Sequence, residues 1–191
     1  MESQRYMTDI KDYIVVVKDV LGEDVCDAIL TEYAAFEEWK DTGVRDGVNK
    51  NIRSAQTILM SQDCCIVKNP QVRKRLDDLV FAGASLAIRK YNEKFKYAHI
   101  DQDTGYELLR YKTGEFYTQH TDSFLTNPRA VSCSFALNDD YEGGEFAFFD
   151  REISVKAPKG AAVLFPSNFM YPHEILPVTK GTRYSIITWF R

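Results

Sequence analysis

Cysteine and histidine are scarce in this chain, which has four of the first and three of the second in 191 residues. Cys26, Cys64, Cys65 and Cys133 make no CxxC pair, and two of them are neighbours. That argues against a disulfide framework and a thiolate zinc site, and predicts reduced thiols in a reducing, cytoplasmic compartment. No run approaches the ~18 consecutive apolar residues of a membrane span. The opening "MESQRYMTDIKDY" lacks the apolar centre of a secretory signal, so a protein without membrane attachment is expected. Excess positive charge is missing too. Twenty-four Lys and Arg against 28 Asp and Glu leave a net charge of −4, which offers no general attraction to nucleic acid. Internal repeats and low-complexity runs are absent.

What is present is a hydrophobic share of 45%, with 12 Phe and 11 Tyr, enough to fill the core of a single domain spanning 1–191. The first hundred residues read as helical support with a few strands. "DYIVVVKDVL" reads as a strand, and Val25, Ile29, Tyr33 and Phe36 recur at helical spacing. Residues 37–54 carry charge changes and glycines without an apolar period; they read as a long loop and a candidate lid. "AQTILMS" reads as a short strand. Asn69-Pro70 marks a helix start, and Val72, Leu76, Leu79, Val80, Leu86 and Tyr91 carry a stripe to about Lys94. From Tyr106 the period becomes two. "YELLRYK" and "EFYTQHTD" flank Thr113-Gly114 as a predicted hairpin. Further strands follow every eight to twelve residues or so, closed by glycine turns. The expected fold is α+β: a double-stranded β-helix (jelly-roll) core over 105–191, with the helices on one outer face.

Within that core, His120 and Asp122 stand two residues apart and project to one side of a strand. A divalent metal that keeps open coordination positions suits two imidazoles and one carboxylate. Besides His99, read as a surface residue, only His173 remains as the second imidazole. A lone His-x-Asp is commonly a surface pair, so the last strand matters. In "RYSIITWF", Arg183, Ser185, Ile187 and Trp189 share one face. If that face is inward, Arg183 is a buried guanidinium, which costs several kcal/mol without a partner, on the order of ~3–5. Either an acid such as Glu145 neutralises it, or an anionic ligand does, with Ser185 beside it.

The segments "YKTGEFYTQHTD", "RAVSCSFALNDDYEGGEFAFF" and "APKGAAVLFPSNFMYPHEILPVTKGTRYSIITWFR" together resemble the catalytic core of the Fe(II)- and 2-oxoglutarate-dependent dioxygenases, most closely the prolyl 4-hydroxylase branch. The resemblance covers about residues 105–191. It implies His120, Asp122 and His173 as iron ligands and Arg183 as the partner of the far carboxylate of 2-oxoglutarate. Tyr111 would give its hydroxyl to the same carboxylate, with Ser185 and Tyr117 lining the pocket. Fe(II), 2-oxoglutarate and O2 are the implied cofactors, with ascorbate a candidate reductant. Many prolyl hydroxylases of this branch have lysine where Arg183 stands. Some relatives have an inner tyrosine where this chain has Ala136, leaving Phe135 or Phe148 as candidates to fill that wall.

The implied reaction is hydroxylation of an unactivated C–H bond, with release of succinate and CO2. The expected substrate is a prolyl residue of a protein or peptide; a free amino acid or another small molecule is the alternative. Candidate substrate contacts are Arg129, the segment with Arg45, Arg53 and Ser54, and Tyr141 and Trp189 against a proline ring. A nucleic-acid dealkylating oxygenase fits less well, because a second arginine six residues after the first is expected there and Arg191 stands eight later. A jelly-roll binding module accounts for the strands but leaves the ordered Tyr-x-x-Gly, His-x-Asp, distal His and Arg-x-Ser unexplained.

Overall fold

The computed structural model describes residues 9–34, 36–44, 47–61, 70–95 and 98–191. Arg45, Cys64, Cys65 and the Asn69 cap fall outside the described residues. After a 3-10 turn at Ile10–Tyr13 come β1 (Val15–Val17), α1 (Glu23–Tyr33), β2 (Lys40–Asp41), β3 (Arg53–Ser54), β4 (Gln56–Leu59) and α2 (Pro70–Lys94). The strands β5 (Glu107–Lys112), β6 (Phe116–His120), β7 (Val131–Ala136), β8 (Glu142–Gly143) and β9 (Phe146–Phe148) follow. The chain closes with β10 (Ile153–Val155), β11 (Ala162–Pro166), β12 (His173–Ile175), β13 (Val178–Lys180) and β14 (Thr182–Phe190). Among the described residues no helix is long and apolar enough to cross a membrane.

Two antiparallel sheets make the core. The larger runs β1-β11-β7-β14-β5-β4-β2, and the smaller runs β10-β9-β12-β6-β3. Side chains alternate across a strand, and β14 shows what that does here. Its Ile186 and Phe190 join Leu76, Val80, Ala84 and Tyr91 of α2 and Ile29 of α1 in one apolar cluster. Its Ile187 and Trp189 join Phe146, Phe148 and Ile175 of the smaller sheet in the other. The helices therefore cover the outer face of the larger sheet, and the inner faces of the two sheets enclose a second core.

Several expectations need correction. Thr113-Gly114 does not close a hairpin. Both edges of β5 are taken, by β14 and β4, so β6 pairs instead with β12 and β3 in the other sheet. The turn, with Gly114 at φ 87°, arches between sheets. The segment 37–54 is bounded by β2 and β3, and its Trp39 is buried. "DYIVVVKDVL" contributes only the short β1, preceded by the 3-10 turn. Phe36 lies beyond α1 but packs against the helix-side cluster. In α2 the buried face runs through Leu76, Val80, Gly83, Ala84, Ala87, Ile88 and Tyr91. Val72 and Leu79 are exposed, because small residues, which hydropathy ranks low, form the contact.

Gly83 marks the tightest point of that contact. A Cβ there would stand 2.6 Å from Leu21 Cδ2 and 2.7 Å from the Val20 carbonyl oxygen. Alanine favours a helix over glycine by ~1 kcal/mol, but overpacking against backbone costs about 1–3 kcal/mol. Gly83→Ala is therefore expected to lower the melting temperature, by about 2–4 °C per kcal/mol of net loss. A thermal melt that rises would show that the helix can move away freely.

Candidate metal centre and pocket

The register between β12 and β6 sets His173 opposite His120. Asp122 stands two residues past His120, just beyond the end of β6, and its backbone N–H is held by the Ser167 carbonyl at 3.2 Å. The result is one cluster. His120 Nε2 lies 3.5 Å from Asp122 Oδ1 and His173 Nε2 lies 3.6 Å from Asp122 Oδ2. One donor atom from each residue can be chosen so that all lie within 4.8 Å of one another.

The backbone fixes the tautomers. His120 Nδ1 is 2.8 Å from the Thr118 carbonyl, and His173 Nδ1 is 3.1 Å from the Tyr171 carbonyl. A carbonyl only accepts, so each Nδ1 carries the hydrogen and each Nε2 keeps its lone pair facing the cluster. Aromatic rings hold the imidazoles in place. Tyr117 stacks on His120 at 3.5 Å between centroids, and Phe165 meets His173 edge-on at 4.6 Å.

Burial pushes the His173 imidazole down to about 4, against the pull of Asp122, so it is neutral at neutral pH. Burial opposes ionisation of Asp122 as well. The His173 and His120 rings and the Ser132 hydroxyl outweigh it and hold that carboxyl below the usual carboxylate range. Two imidazoles and a carboxylate form a donor set that suits a ferrous or similar divalent ion and leaves coordination positions open.

The cluster opens into a pocket of about 510 Å³. The register of β5 on β14 gives it layers: Tyr111 beside Arg183, Leu109 beside Ser185, Glu107 beside Ile187. Arg183 is buried, donates from Nη1 to Ser185 Oγ at 2.9 Å, and lies 5.3 Å from the Tyr111 and Phe146 rings. Among the described residues no carboxylate ion-pairs with it, Glu145 included. The pocket therefore ends in a guanidinium suited to an anion.

The other end of the pocket is mixed in charge. The Arg129 guanidinium covers the Trp189 ring at 3.4 Å and donates from Nη1 to the Asp122 carbonyl at 3.0 Å. Arg53 lies 4.6 Å from the Tyr117 ring. Burial opposes its charge, while Tyr111, Tyr117 and Glu107 favour it and raise its pKa. Buried Arg53 Nε, Arg129 Nε, Trp189 Nε1 and Thr57 Oγ1 have no hydrogen-bond partner among the described residues, and all four side chains line this cavity. Buried polar atoms left without partners are uncommon, and these four belong to side chains that line one end of the cavity.

The structure thus brings His120, Asp122, His173, Arg183, Tyr111, Ser185, Tyr117, Arg129, Arg53 and Trp189 into one pocket. Phe135 instead faces the helices, since it alternates with Ala136, and Phe146 lines the pocket in its place. Tyr141 lies in a small cleft with Gly144, Lys156 and Arg183, not at the substrate end. His99 is exposed, as expected. Glu107 was missed, although its parity with Leu109 and Tyr111 puts it on the inward face. Its carboxyl is pushed up by burial, against Arg53 and Arg129.

The family model of the 2OG-Fe(II) oxygenase superfamily matches residues 106–191, the part that holds the triad, Arg183 and Tyr111. Those residues carry the chain's likeness to the 2OG-Fe(II) oxygenase superfamily. Over 88 residues it is 37% identical to a PKHD-type hydroxylase from Idiomarina loihiensis, covering 43% of this chain and 39% of that protein. It is 29% identical over 174 residues to mouse procollagen-lysine,2-oxoglutarate 5-dioxygenase 1, covering 89% of this chain and 23% of that protein. A Pseudomonas putida prolyl-4-hydroxylase superposes with a TM-score of 0.73 at 24% identity, covering 94% of this chain and 92% of that one. The jelly-roll fold is that of the prolyl 4-hydroxylase-like branch. The matched stretch spans about two fifths of the length of the PKHD-type hydroxylases from Idiomarina loihiensis, Picosynechococcus and Maricaulis maris, and 78% of one from Alteromonas mediterranea at 26% identity. That match and the His-Asp-His cluster point to Fe(II), 2-oxoglutarate and O2 as cofactors. The residues present fit them: the triad offers the donor set, and Arg183 is a buried cation without a carboxylate partner.

Because the folded His173 pKa lies below the unfolded one, its contribution is fully present above about pH 6.5 and fades as pH falls toward 4. The metal-free protein should lose roughly 3 kcal/mol of unfolding free energy on this account. Urea denaturation at pH 7 and pH 4 should show that excess loss relative to His173→Gln. Parallel pH slopes in the two proteins would refute it.

Proposed function

We propose that this chain is a 2-oxoglutarate-dependent hydroxylase of a prolyl residue in a protein or peptide, releasing succinate and CO2. The observation that carries the reading is the His120–Asp122–His173 cluster sharing one pocket with the uncompensated Arg183. When bound, iron and 2-oxoglutarate supply oxidative decarboxylation coupled to O2, which places one oxygen atom on an unactivated carbon. The chain's residues bind, orient and exclude water. His120, Asp122 and His173 hold the ion through Nε2, carboxylate and Nε2. Arg183 takes the far carboxylate of 2-oxoglutarate, with Ser185 and Tyr111 beside it. Leu109, Phe146 and Ile175 make a dry wall between these two ends.

At the substrate end, Arg129, Arg53, Trp189 and Thr57 offer donors to peptide carbonyls. The segment 37–54, whose Lys40, Asp41, Thr42 and Val44 line the pocket, is the wall we assign as its lid, within one catalytic unit over 1–191. The names of the relatives, prolyl-4-hydroxylase and procollagen-lysine dioxygenase, support a polypeptide substrate. Arg191 donates to Asn127 and is not among the pocket residues, which disfavours the dealkylating reading.

Arg183→Ala should weaken 2-oxoglutarate binding by on the order of a hundredfold, as loss of a charge-assisted contact of ~2–3 kcal/mol implies, while metal binding is retained. Anaerobic titration of the Fe(II) protein, read by the visible charge-transfer band, measures this. Unchanged co-substrate affinity removes Arg183 from the role.

One observation favours a lysyl substrate as a second reading: Glu107 puts an acid at the substrate end. Matched prolyl and lysyl peptides, scored by the mass gain of one oxygen, separate the two. Under the prolyl reading only the prolyl series gains mass, and Glu107→Gln leaves turnover within about tenfold, a loss of at most ~1.4 kcal/mol. Oxidation of lysyl peptides that vanishes in Glu107→Gln would replace the prolyl reading.

A further inference from the structure

Asp122 is gripped from several sides, and one of the contacts has no bearing on backbone shape. Its N–H and that of Ser123 donate to the Ser167 carbonyl at 3.2 and 2.9 Å, and its carbonyl accepts from Arg129. Those bonds place the residue but leave its carboxylate free to turn. The turn is fixed by Ser132 of β7, whose hydroxyl donates to Asp122 Oδ2 at 2.6 Å. Ser132 Oγ also lies 2.8 Å from Ser167 Oγ. An ionised carboxylate has no hydrogen to give, so the Ser132 hydrogen points at Asp122 and Ser167 is the donor to Ser132. The order is therefore Ser167 to Ser132 to Asp122, a short chain of hydroxyls ending on a charge.

The surroundings offer these hydroxyls nothing else. Ser132 is fully buried, and in the larger sheet its register partners are Phe165 and Trp189. Ser167 is buried as well. A hydroxyl set among aromatics is costly unless its hydrogen bonds are made. Both oxygens stand near an imidazole, Oδ1 3.5 Å from His120 Nε2 and Oδ2 3.6 Å from His173 Nε2, but only Oδ1 takes no hydrogen bond from a hydroxyl or backbone N–H among the described residues.

We propose that Ser132, backed by Ser167, is a positioning residue for the metal. By occupying Oδ2, it presents Asp122 to the ion through Oδ1 alone. A carboxylate that gripped through both oxygens would take a position that a co-substrate needs. This deepens the iron-site reading and rests on it.

The test uses the full chain and Mn(II) alone, with no substrate. Free Mn(II) is counted by its electron paramagnetic resonance signal to give a dissociation constant. Infrared difference spectra, Mn(II)-loaded minus metal-free, give the separation of the antisymmetric and symmetric carboxylate stretches, wide for one-oxygen binding and narrow for two. Ser132→Ala and Ser132→Cys remove the strong donor at different volumes. Both should weaken Mn(II) about 10–100-fold, the usual cost of losing a partner that orients a ligand, and both should narrow the separation. Ser167→Ala should move both readouts in the same direction by less. Thermal melts of the metal-free variants check that they fold.

Wild-type affinity in either Ser132 variant, or an unchanged separation in both, overturns the proposal while leaving the iron site standing. A wild-type protein that does not bind Mn(II) fails earlier, and takes the iron-site reading with it.

Discussion

The structure turns on one register: His173 opposite His120 across two short strands. A slip by one residue would send the second imidazole to the far side of the smaller sheet. A three-residue strand is a weak device for holding such a register by itself. Here it is clamped between β6 and β9, where Phe148 pairs with the same histidine. The rings of Phe148 and Phe165 then fill the space around the imidazole, at 5.6 and 4.6 Å. Burial that keeps His173 neutral and packing that keeps it in place come from the same aromatic residues. The cluster is thus a product of the core, so on our reading of it as a metal site, metal affinity and core packing would be coupled through His173.

The second constraint is the double duty of β14. Alternate residues serve two environments that tolerate different chemistry. The helix side carries Tyr184, Ile186, Thr188 and Phe190; the pocket side carries Arg183 and Ser185 within the same strand. An arginine in place of Ile186 or Phe190 would be an unpaired ion in an apolar layer, about 3–5 kcal/mol uphill by comparison with broken buried pairs. On the pocket side it faces a cavity and can take its counter-charge from outside the chain. Its place in the period therefore decides whether Arg183 is a defect or a binding group.

Period is also what the sequence makes legible. It gave the inward face of the last strand, the shift from helices to strands near Tyr106, the span of α2, and the His120–Asp122 pair. It does not say which sheet a strand joins. The Thr113-Gly114 turn was misread for that reason: edge pairing depends on neighbours distant in the chain, and β4, more than forty-five residues before β5 by numbering, had already claimed the second edge. Phe135 was an error that parity forbids, because Ala136 already faced the pocket. Glu107 satisfied the parity rule but was passed over, since an acid in an apolar strand reads as solvent-facing. Ser132 and Ser167 carry no signal of their own; a serine in a strand becomes informative only when a structure shows what it touches.

The site also divides by origin along the chain. Every residue we assign to iron and 2-oxoglutarate lies within 106–191, the stretch that matches the superfamily model. The end we assign to substrate also draws on what precedes it: Arg53, Thr57 and the wall from Lys40 to Val44 join Arg129 and Trp189 there. Cofactor chemistry needs the same few donors whatever is oxidised, so its residues form ordered motifs. Substrate recognition needs shape and hydrogen-bond complementarity to one partner, and any wall that supplies them will serve. The two parts meet at Arg129, which holds the Asp122 carbonyl with one nitrogen and keeps another, Nε, without a partner beside the cavity. On our reading of the site, a substrate acceptor bound by this guanidinium would pull on the residue we assign as a metal ligand, linking what fills one end of the pocket to the geometry at the centre.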